Sequence, residues 1–202
     1  MQLIITRHGH TPWNDGALFQ GSTDNDLSKL GKEQAKKLAK RLSGEKFEVI
    51  YSSPLKRALN TAKEIQKLSP HAKLIIDDNL KELDFGIAEG LNEKKAFEHK
   101  EISPIWKERE KDKFNFVIPK GESYHMVRAR VKKVLKKIVV DGKDTLVVCH
   151  GITSKMFFME LLGKRFEEVD KLRYHNTAIT KIRINGNKIE LLEFNSAKHL
   201  EE

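Results

Sequence analysis

The amino terminus constrains the fold more than any other part of this sequence. A short apolar run, Leu3-Ile4-Ile5, leads within two residues into Arg7, His8 and Gly9. Such a run is typical of a buried strand, and open α/β sheets hold their ligand crevices just beyond the carboxyl ends of their strands. We therefore expect an α/β sheet in which Arg7 and His8 lie in a functional site.

Length and cysteine content indicate one domain in a reducing compartment. A chain of 202 residues suits one well-buried core, since domains commonly hold ~100–200 residues. Cys149 is the only cysteine, so no internal disulfide can form, and the start lacks the ~7–15-residue apolar core of a signal peptide. No apolar run approaches the ~20 residues that span a bilayer. We expect a single cytoplasmic domain over residues 1–202.

The chain is strongly basic, with a net charge of +9 that would attract polyanions. Many lysines, however, fall on the outer faces of predicted helices and are interleaved with carboxylates, as on a solvated surface. No nucleic-acid-binding motif accompanies the charge. We therefore expect neither nucleic acid nor a membrane as a partner. The oligomeric state stays open, a homodimer included.

Strand patterns alternate with helix patterns along the chain. Beyond the first strand, apolar runs predict strands at 49–51, 74–76, 145–149, 177–184 and 189–194, and helices at about 30–42, 54–68, 122–140 and 152–162. Leu30 is expected to begin the apolar stripe of the first of these helices. Ser53-Pro54 has the pattern of an N-cap followed by proline at the first helical position. Asn185-Gly186-Asn187 indicates a hairpin between the last two strands.

This alternation, followed by a terminal hairpin, predicts a three-layer α/β/α sandwich whose sheet is mostly parallel with an antiparallel edge strand. Residues 92–113 are charged, carry Pro104 and show weak helical periodicity. We expect short helices there, within a cover segment at about 91–120 that supplies much of the pocket wall.

Chemically useful side chains follow four of the predicted strands. Arg7 and His8 follow the first strand, and Arg57 lies one helical turn past the second. Glu82 follows the third strand, and His150 follows the strand at 145–149. The carboxyl ends of parallel strands share one edge of a sheet, so we expect these side chains to converge. Each alone is more common as a structural or surface residue, but such a set is hard to reconcile with a solvated surface.

The converging set has the parts that phosphoryl transfer requires. Neutral imidazole is a nucleophile, so His8 would attack phosphorus and form phosphohistidine. Arg7, Arg57 and His150 would hold the phosphoryl oxygens, since a guanidinium grips two of them at once. Glu82 would donate a proton to the leaving oxygen and then act as base on the water that hydrolyses the intermediate. This scheme requires no metal and no other cofactor.

Ordered motifs over nearly the whole chain carry a resemblance to a known family. After Arg7-His8-Gly9 come, in order, Phe19-Gln20-Gly21, Ser52-Ser53-Pro54-Leu55-Lys56-Arg57, Glu82-Leu83-Asp84-Phe85-Gly86, Pro119-Lys120-Gly121-Glu122-Ser123 and His150-Gly151. Together they resemble the histidine phosphatase superfamily, which includes the cofactor-dependent phosphoglycerate mutases. The segment 119–123 is similar to the phosphatase branch, in which α-ribazole phosphatases and broad-specificity phosphatases are found.

The resemblance implies a role for each matching position. His8 matches the phosphorylated histidine, Glu82 the acid, and Arg7, Arg57 and His150 the phosphate pocket. Further phosphate-pocket positions are matched by Asn14, Gln20, Gly21 and the amide of Gly151. The resemblance thus implies a histidine acid-type phosphatase, a phosphoric monoester hydrolase acting on a small phosphorylated metabolite.

Phosphoglycerate mutase is the closest alternative. The mutases of this family have a longer cover segment with an arginine pair, whereas 91–120 is short and has no adjacent arginines. We therefore favour hydrolysis. Ile152 stands where mutases carry Asn, and His10 stands where the family usually has Glu, Gln or Ala, and these departures concern the identity of the substrate rather than the reaction.

Two alternatives come from other classes of protein. His8-x-His10 after a first strand resembles the metal-binding opening of amidohydrolase barrels, but such barrels run to ~250 residues and the later ligands are missing. A non-catalytic phospho-ligand binding module would need neither His8 as nucleophile nor Glu82 as acid.

Overall fold

Four parallel strands form the centre of the fold in the computed structural model, which describes residues 1–201. They are β1 (Gln2–Arg7), β2 (Val49–Ser52), β3 (Lys73–Ile76) and β4 (Thr145–Cys149). The antiparallel pair β5 (Ile179–Asn185) and β6 (Lys188–Ser196) extends the sheet beside β1, in the order β3-β2-β4-β1-β5-β6. The mostly parallel sheet with an antiparallel edge is confirmed. An open sheet also shows that the barrel alternative is wrong.

Helices cover both faces of this sheet. They are α1 (Pro12–Asp15), α2 (Lys29–Leu42), α3 (Lys56–Leu68), α4 (Glu93–Glu98), α5 (Ser103–Arg109), α6 (Tyr124–Asp141), α7 (Gly151–Leu162) and α8 (Phe166–Asp170). Short 3₁₀ turns lie at Asp78–Leu80, Gly86–Ala88 and Lys198–Leu200.

Alternate residues of the central strands face two separate hydrophobic cores, as the period of a strand requires. Leu3 and Ile5 join the core shared with α6 and α7, whereas Ile4 joins the core shared with α2 and α3. The three predicted layers are therefore confirmed. Within residues 1–201, no helix combines the length and the apolar character that crossing a membrane would take.

The start of α2 differs from the expectation. Ser28 caps the helix, with its side-chain oxygen accepting from the backbone amide of Gly31. Leu30, expected to begin the buried stripe, is 54% exposed, and the stripe begins with Gly31 instead. A Cβ at Gly31 would collide with the backbone of His10, because this turn of the helix packs closely against the loop after β1.

The start of α3 is also later than expected, because Ser53 is not its N-cap and Pro54 is not its first residue. The helix begins at Lys56, and the amide of Lys56 donates to the carboxylate of Asp24 at 2.7 Å, so the cap comes from a distant loop. Ser53 Oγ accepts from the amide of Leu55 and contacts the ring of His150. The Ser53 hydroxyl therefore serves the site rather than the helix end.

The long helix α6 begins and ends close to the prediction. Ser123 is its N-cap, and Gly142 ends it in the left-handed conformation. Glu122, expected to be the first helical residue, lies before the cap and forms an ion pair with Arg130 at 2.7 Å. The helix therefore begins two residues later than predicted.

Candidate active site

A cavity of about 600 Å³ opens at the carboxyl ends of the parallel strands. Its charged and hydrogen-bonding wall groups come from the end of β1, from α1 and the loop after it, from the chain just past the 3₁₀ turn at Asp78–Leu80, and from α3 and α7. A further wall is formed by the segment 172–176 before β5. Of the sequence-predicted site residues, seven line it: Arg7, His8, Asn14, Gln20, Arg57, Glu82 and Gly151. His150 and Gly21 do not.

The cover segment does not supply the walls, contrary to our expectation. No residue of 91–120 lines this cavity. The short helices α4 and α5 instead cover the outside, and Trp106 of α5 is buried beside the ring of Phe19, which itself lines the cavity. The segment is thus separated from the cavity by a layer of aromatic side chains.

His8 is held in the form that a nucleophile needs. Its Nδ1 lies 2.7 Å from the carbonyl oxygen of Gly9. A carbonyl can only accept, so Nδ1 carries the proton and Nε2 keeps its lone pair. Burial, together with the charges of Arg7 and Arg57, holds the pKa of His8 well below its usual value. The ring is therefore neutral at physiological pH.

One guanidinium nitrogen of Arg7 is hydrogen-bonded to the backbone, and another has no partner among residues 1–201. Its NH1 group donates to the carbonyl of Tyr174 at 2.7 Å, and burial lowers the pKa of its guanidinium. Its buried Nε has no hydrogen-bond partner among residues 1–201, and the same holds for the buried Oε1 of Gln20. A buried donor without a partner costs free energy, so an unpartnered guanidinium nitrogen beside a nucleophile indicates a site for an anion.

Arg57 is oriented by three hydrogen bonds. Its NH1 and NH2 groups donate to the carbonyls of Thr23 and Gly21, each at 2.7 Å, and its Nε donates to Nδ1 of His150 at 3.3 Å. Burial lowers its pKa to about 10, so the guanidinium remains charged at neutral pH. The remaining protons on its NH groups are free to bind phosphate oxygens.

His150 lies behind Arg57 rather than on the cavity surface. Its Nδ1 accepts from Arg57, which can only donate, so the proton is on Nε2 and is donated to Ser53 Oγ at 2.8 Å. Burial and the charge of Arg57 hold the pKa of His150 well below its usual value. In the free protein the residue therefore orients Arg57, and its direct contact with phosphate stays a prediction.

Glu82 is fixed at the amino terminus of α7. Its carboxylate accepts from the amides of Ile152 and Thr153 at 3.1–3.2 Å. Behind it, Arg130 donates to the backbone carbonyls of Lys81 and Glu82. These amides and the helix dipole stabilise the negative charge that the carboxyl acquires once it has given up a proton.

The remaining predicted positions have distinct placements. Asn14 accepts from the amide of Thr11 through Oδ1, and the residue lines the cavity. Gly21 has a φ of +48° and gives only its carbonyl to Arg57, and a Cβ there would collide with the carboxylate of Glu89. Glu89 also accepts from the amides of Ser22 and Thr23, so it holds the loop that orients Arg57.

Asn176 and Lys155 are among the lining residues that were not singled out from the sequence. Asn176 donates to the carbonyl of His8 at 2.9 Å, and Lys155 lies on the same side of α7 as Gly151. The four-residue spacing between Gly151 and Lys155 could have identified Lys155. Asn176 lies in irregular chain before β5, and no periodicity marks it.

Among residues 1–201, no group of three or more His, Cys, Asp and Glu side chains could hold a metal ion. The charge that faces the cavity next to His8 comes from the guanidinium groups of Arg7 and Arg57. The arrangement can therefore bind a tetrahedral dianion beside a neutral imidazole, in a cavity that the carboxyl group of Glu82 also lines.

Comparisons with known proteins agree with this geometry. The model of the histidine phosphatase superfamily (branch 1) matches residues 3–197. Phosphoserine phosphatase 1 of Hydrogenobacter thermophilus is 34% identical over 205 residues, covering 100% of this chain and 95% of the relative. A 2,3-bisphosphoglycerate-dependent phosphoglycerate mutase of Bartonella bacilliformis is 33% identical over 177 residues, covering 83% of this chain and 84% of the relative.

A solved structure has the same fold over the whole chain. It is a phosphoserine phosphatase mutant from Entamoeba histolytica in complex with phosphoserine, with a TM-score of 0.84 and 30% identity. The match covers 98% of each chain.

Proposed function

This chain belongs to branch 1 of the histidine phosphatase superfamily, and we propose that it is a metal-independent phosphomonoesterase acting on a small phosphorylated metabolite through a phosphohistidine on His8. One observation carries the proposal. His8, whose tautomer is set by the 2.7 Å contact between Nδ1 and the Gly9 carbonyl, lines the same cavity as Arg7, whose buried Nε has no partner among residues 1–201.

The first step is phosphoryl transfer to the protein. Arg7 and Arg57 bind the phosphoryl oxygens, and the lone pair of His8 Nε2 forms a bond to phosphorus as the bond to the ester oxygen breaks. Protonated Glu82 gives its proton to that oxygen, so the alcohol leaves neutral. The guanidinium donors are in place beforehand and stabilise the transition-state charge without reorganisation.

The second step is hydrolysis of the phosphohistidine. The carboxylate of Glu82 takes a proton from a water molecule, whose oxygen bonds to phosphorus. The phosphorus–nitrogen bond breaks, and its electron pair returns to Nε2 of His8. Inorganic phosphate leaves, and Glu82 is protonated again for the next turnover.

The reaction is expected to be of the acid type. His8 keeps its nucleophilic form below pH 6.5, because its pKa is lowered, while Glu82 must carry a proton in the first step. Activity should therefore fall at low pH, once His8 protonates and loses its nucleophilic lone pair.

Cofactor-dependent phosphoglycerate mutase remains the alternative function, because a relative of that name is 33% identical to this chain. The position of the cover segment favours hydrolysis. Arg109 is the only arginine of 91–120, and its buried guanidinium stacks on Trp106 and pairs with Glu110 rather than lining the cavity.

We place the protein in the cytoplasm, with a small metabolite rather than nucleic acid or a membrane as its partner. Cys149 is the single cysteine of the sequence and is buried, so the chain forms no internal disulfide, as is usual in a reducing compartment. The lysines predicted to lie on outer helix faces are exposed, as on α2 and α6.

The test is release of inorganic phosphate from p-nitrophenyl phosphate by the purified chain in EDTA without 2,3-bisphosphoglycerate. We expect turnover that EDTA leaves unchanged and that His8→Ala abolishes. Activity that requires added magnesium or zinc would contradict the metal-independent mechanism. Interconversion of phosphoglycerates only in the presence of 2,3-bisphosphoglycerate would identify a mutase.

A further inference from the structure

A further cationic side chain lies in the same cavity, one helical turn from the phosphate-binding residues. Lys155 follows Gly151 by four residues on α7, and both line the cavity. Residues at this spacing lie on one face of a helix, with Cβ positions ~5–6 Å apart. A short molecule whose phosphate lies beside the amide of Gly151 can therefore also reach the ammonium of Lys155.

The protein neutralises this ammonium only in part. Lys155 Nζ donates to the backbone carbonyl of Asp170 at 2.6 Å, which is its one hydrogen bond within residues 1–201. The carboxylate of Asp170 lies 3.8 Å from Lys155 but only 2.8 Å from Lys113. Two ammonium groups thus share one carboxylate, and the nearer one is Lys113.

The charges that line the cavity are unbalanced. Four lining side chains are cationic, Arg7, Arg57, Lys155 and Arg173, and only Glu82 is acidic. A phosphate monoester dianion would neutralise only part of this excess positive charge. A further anionic group on the substrate would neutralise more of it.

Burial of Lys155 also disfavours its charged form. Its side chain is 14% exposed, and burial lowers its pKa. A bound carboxylate would offset this cost. Perturbed groups in a cleft are candidates for function for this reason.

We propose that Lys155 determines specificity by binding a carboxylate on the leaving group, so that the substrates are phosphorylated hydroxy acids or hydroxy amino acids. This inference rests on the proposed phosphomonoesterase function and names the substrate class of that site. The phosphate binds at Arg7 and Arg57, and the carboxylate of the same molecule accepts from Lys155.

The test compares two substrates that differ in one group. O-Phosphoethanolamine is O-phosphoserine without its carboxylate, so the ratio of their kcat/KM values isolates the carboxylate. We expect the unaltered chain to favour O-phosphoserine by ~10–100-fold, the size expected for a hydrogen bond between charged groups. A ratio near one would overturn the proposal.

Three variants assign the preference to Lys155. Lys155→Met keeps an unbranched side chain without the charge, and it should lower the ratio at least ~10-fold. Lys155→Arg keeps the charge and should keep most of the ratio. Lys171→Met removes an exposed charge beside the cavity but not from its lining, and it should leave the ratio unchanged. An unaltered ratio in Lys155→Met, or an equal fall in Lys171→Met, would overturn the assignment.

Binding to an inactive protein separates this inference from the proposed function. Calorimetric titration of His8→Ala should show the same preference for O-phosphoserine without any turnover, and addition of Lys155→Met to this variant should remove the preference. A preference in binding without hydrolysis by the unaltered chain would refute the phosphatase but support Lys155. Hydrolysis without a preference in either assay would refute Lys155 alone.

Discussion

Arg57 and His150 are joined by a hydrogen bond in which Nε of the guanidinium donates to Nδ1 of the imidazole at 3.3 Å. This bond determines that the ring proton of His150 is on Nε2, and Nε2 donates a hydrogen bond to Ser53 Oγ at 2.8 Å. The end of β4 and the first turn of α3 are therefore linked through one oriented guanidinium. The site relies on a chain of directional contacts rather than on the presence of charge alone.

Arg57→Lys should reduce activity although it keeps the positive charge. A single ammonium cannot reach His150 and the carbonyls of Gly21 and Thr23 while also binding phosphate. We expect kcat with p-nitrophenyl phosphate to fall ~10²–10³-fold, as when one preorganised donor is removed. Arg41→Lys on α2, far from the cavity, is the matched control. A fall of less than threefold would show that the charge alone suffices.

Gly151→Ala should weaken substrate binding while leaving the stability of the fold almost unchanged. A Cβ at this position would lie 3.6 Å from Glu82 Oε2 and 3.8 Å from Arg7 Nε, which is ordinary contact distance. The protein should therefore fold with its melting temperature almost unchanged, while the methyl group occupies space needed by a phosphoryl oxygen and raises KM.

Gly21→Ala is the control for that prediction. Gly21 has a positive φ, and its Cβ would collide with Glu89, so this variant should lose stability in thermal unfolding. Normal KM values in Gly151→Ala would show that the phosphate does not approach the start of α7.

The sequence predicted the position of the site because strand order determines it. Arg7, His8, Arg57 and Glu82 each follow a parallel strand, and the carboxyl ends of such strands meet at one edge whatever the details of packing. The layers and the antiparallel hairpin were also predictable, because they depend on the pattern of apolar residues over whole segments.

The parts that could not be predicted depend on contacts between distant segments. Ser53 has the sequence pattern of an N-cap, but Asp24 supplies the cap and the Ser53 hydroxyl binds His150 instead. Asn176 reaches the carbonyl of His8 across 168 positions of sequence through the packing of the segment before β5. The walls could not be assigned to the right segment, because weak periodicity in 91–120 does not show on which side those helices lie.

Acid should destabilise the folded protein through its buried histidines. Burial and neighbouring cations lower the pKa of His8 and of His150. The unfolded chain therefore binds more protons, and stability is lost as pH falls below the unfolded value of ~6.5. Each histidine should contribute ~1.4 kcal/mol per pH unit to that slope once the pH is well below 6.5 and still above the folded pKa.

The measurement is denaturant unfolding between pH 5 and 7. His150→Gln should reduce the slope of unfolding free energy against pH by the contribution of one histidine. An equal slope in His150→Gln would show that His150 is not kept neutral by the fold.

Glu82→Gln should affect substrates according to their leaving groups. The leaving group of an alkyl phosphate is a strongly basic alkoxide. Loss of the proton donor should therefore slow phosphorylation of His8 by ~10²–10⁴-fold with such a substrate. p-Nitrophenolate is a weak base that leaves without a proton, so phosphoryl transfer from p-nitrophenyl phosphate to His8 should be slowed much less. Single-turnover kinetics is required, because Glu82 also acts on water in the second step. Equal slowing for both leaving groups would show that Glu82 is not the proton donor.

The central claim is that phosphorus becomes bonded to His8, and rapid chemical quench with ³²P-labelled substrate tests it most directly. We predict a phosphoenzyme that is labile in acid and stable in base, as expected for phosphorus on an imidazole nitrogen, with the label on the peptide that contains His8. His8→Ala should give no label and no turnover. A His8→Ala protein with near-normal activity, or unlabelled protein during turnover of the unaltered chain, would contradict the mechanism.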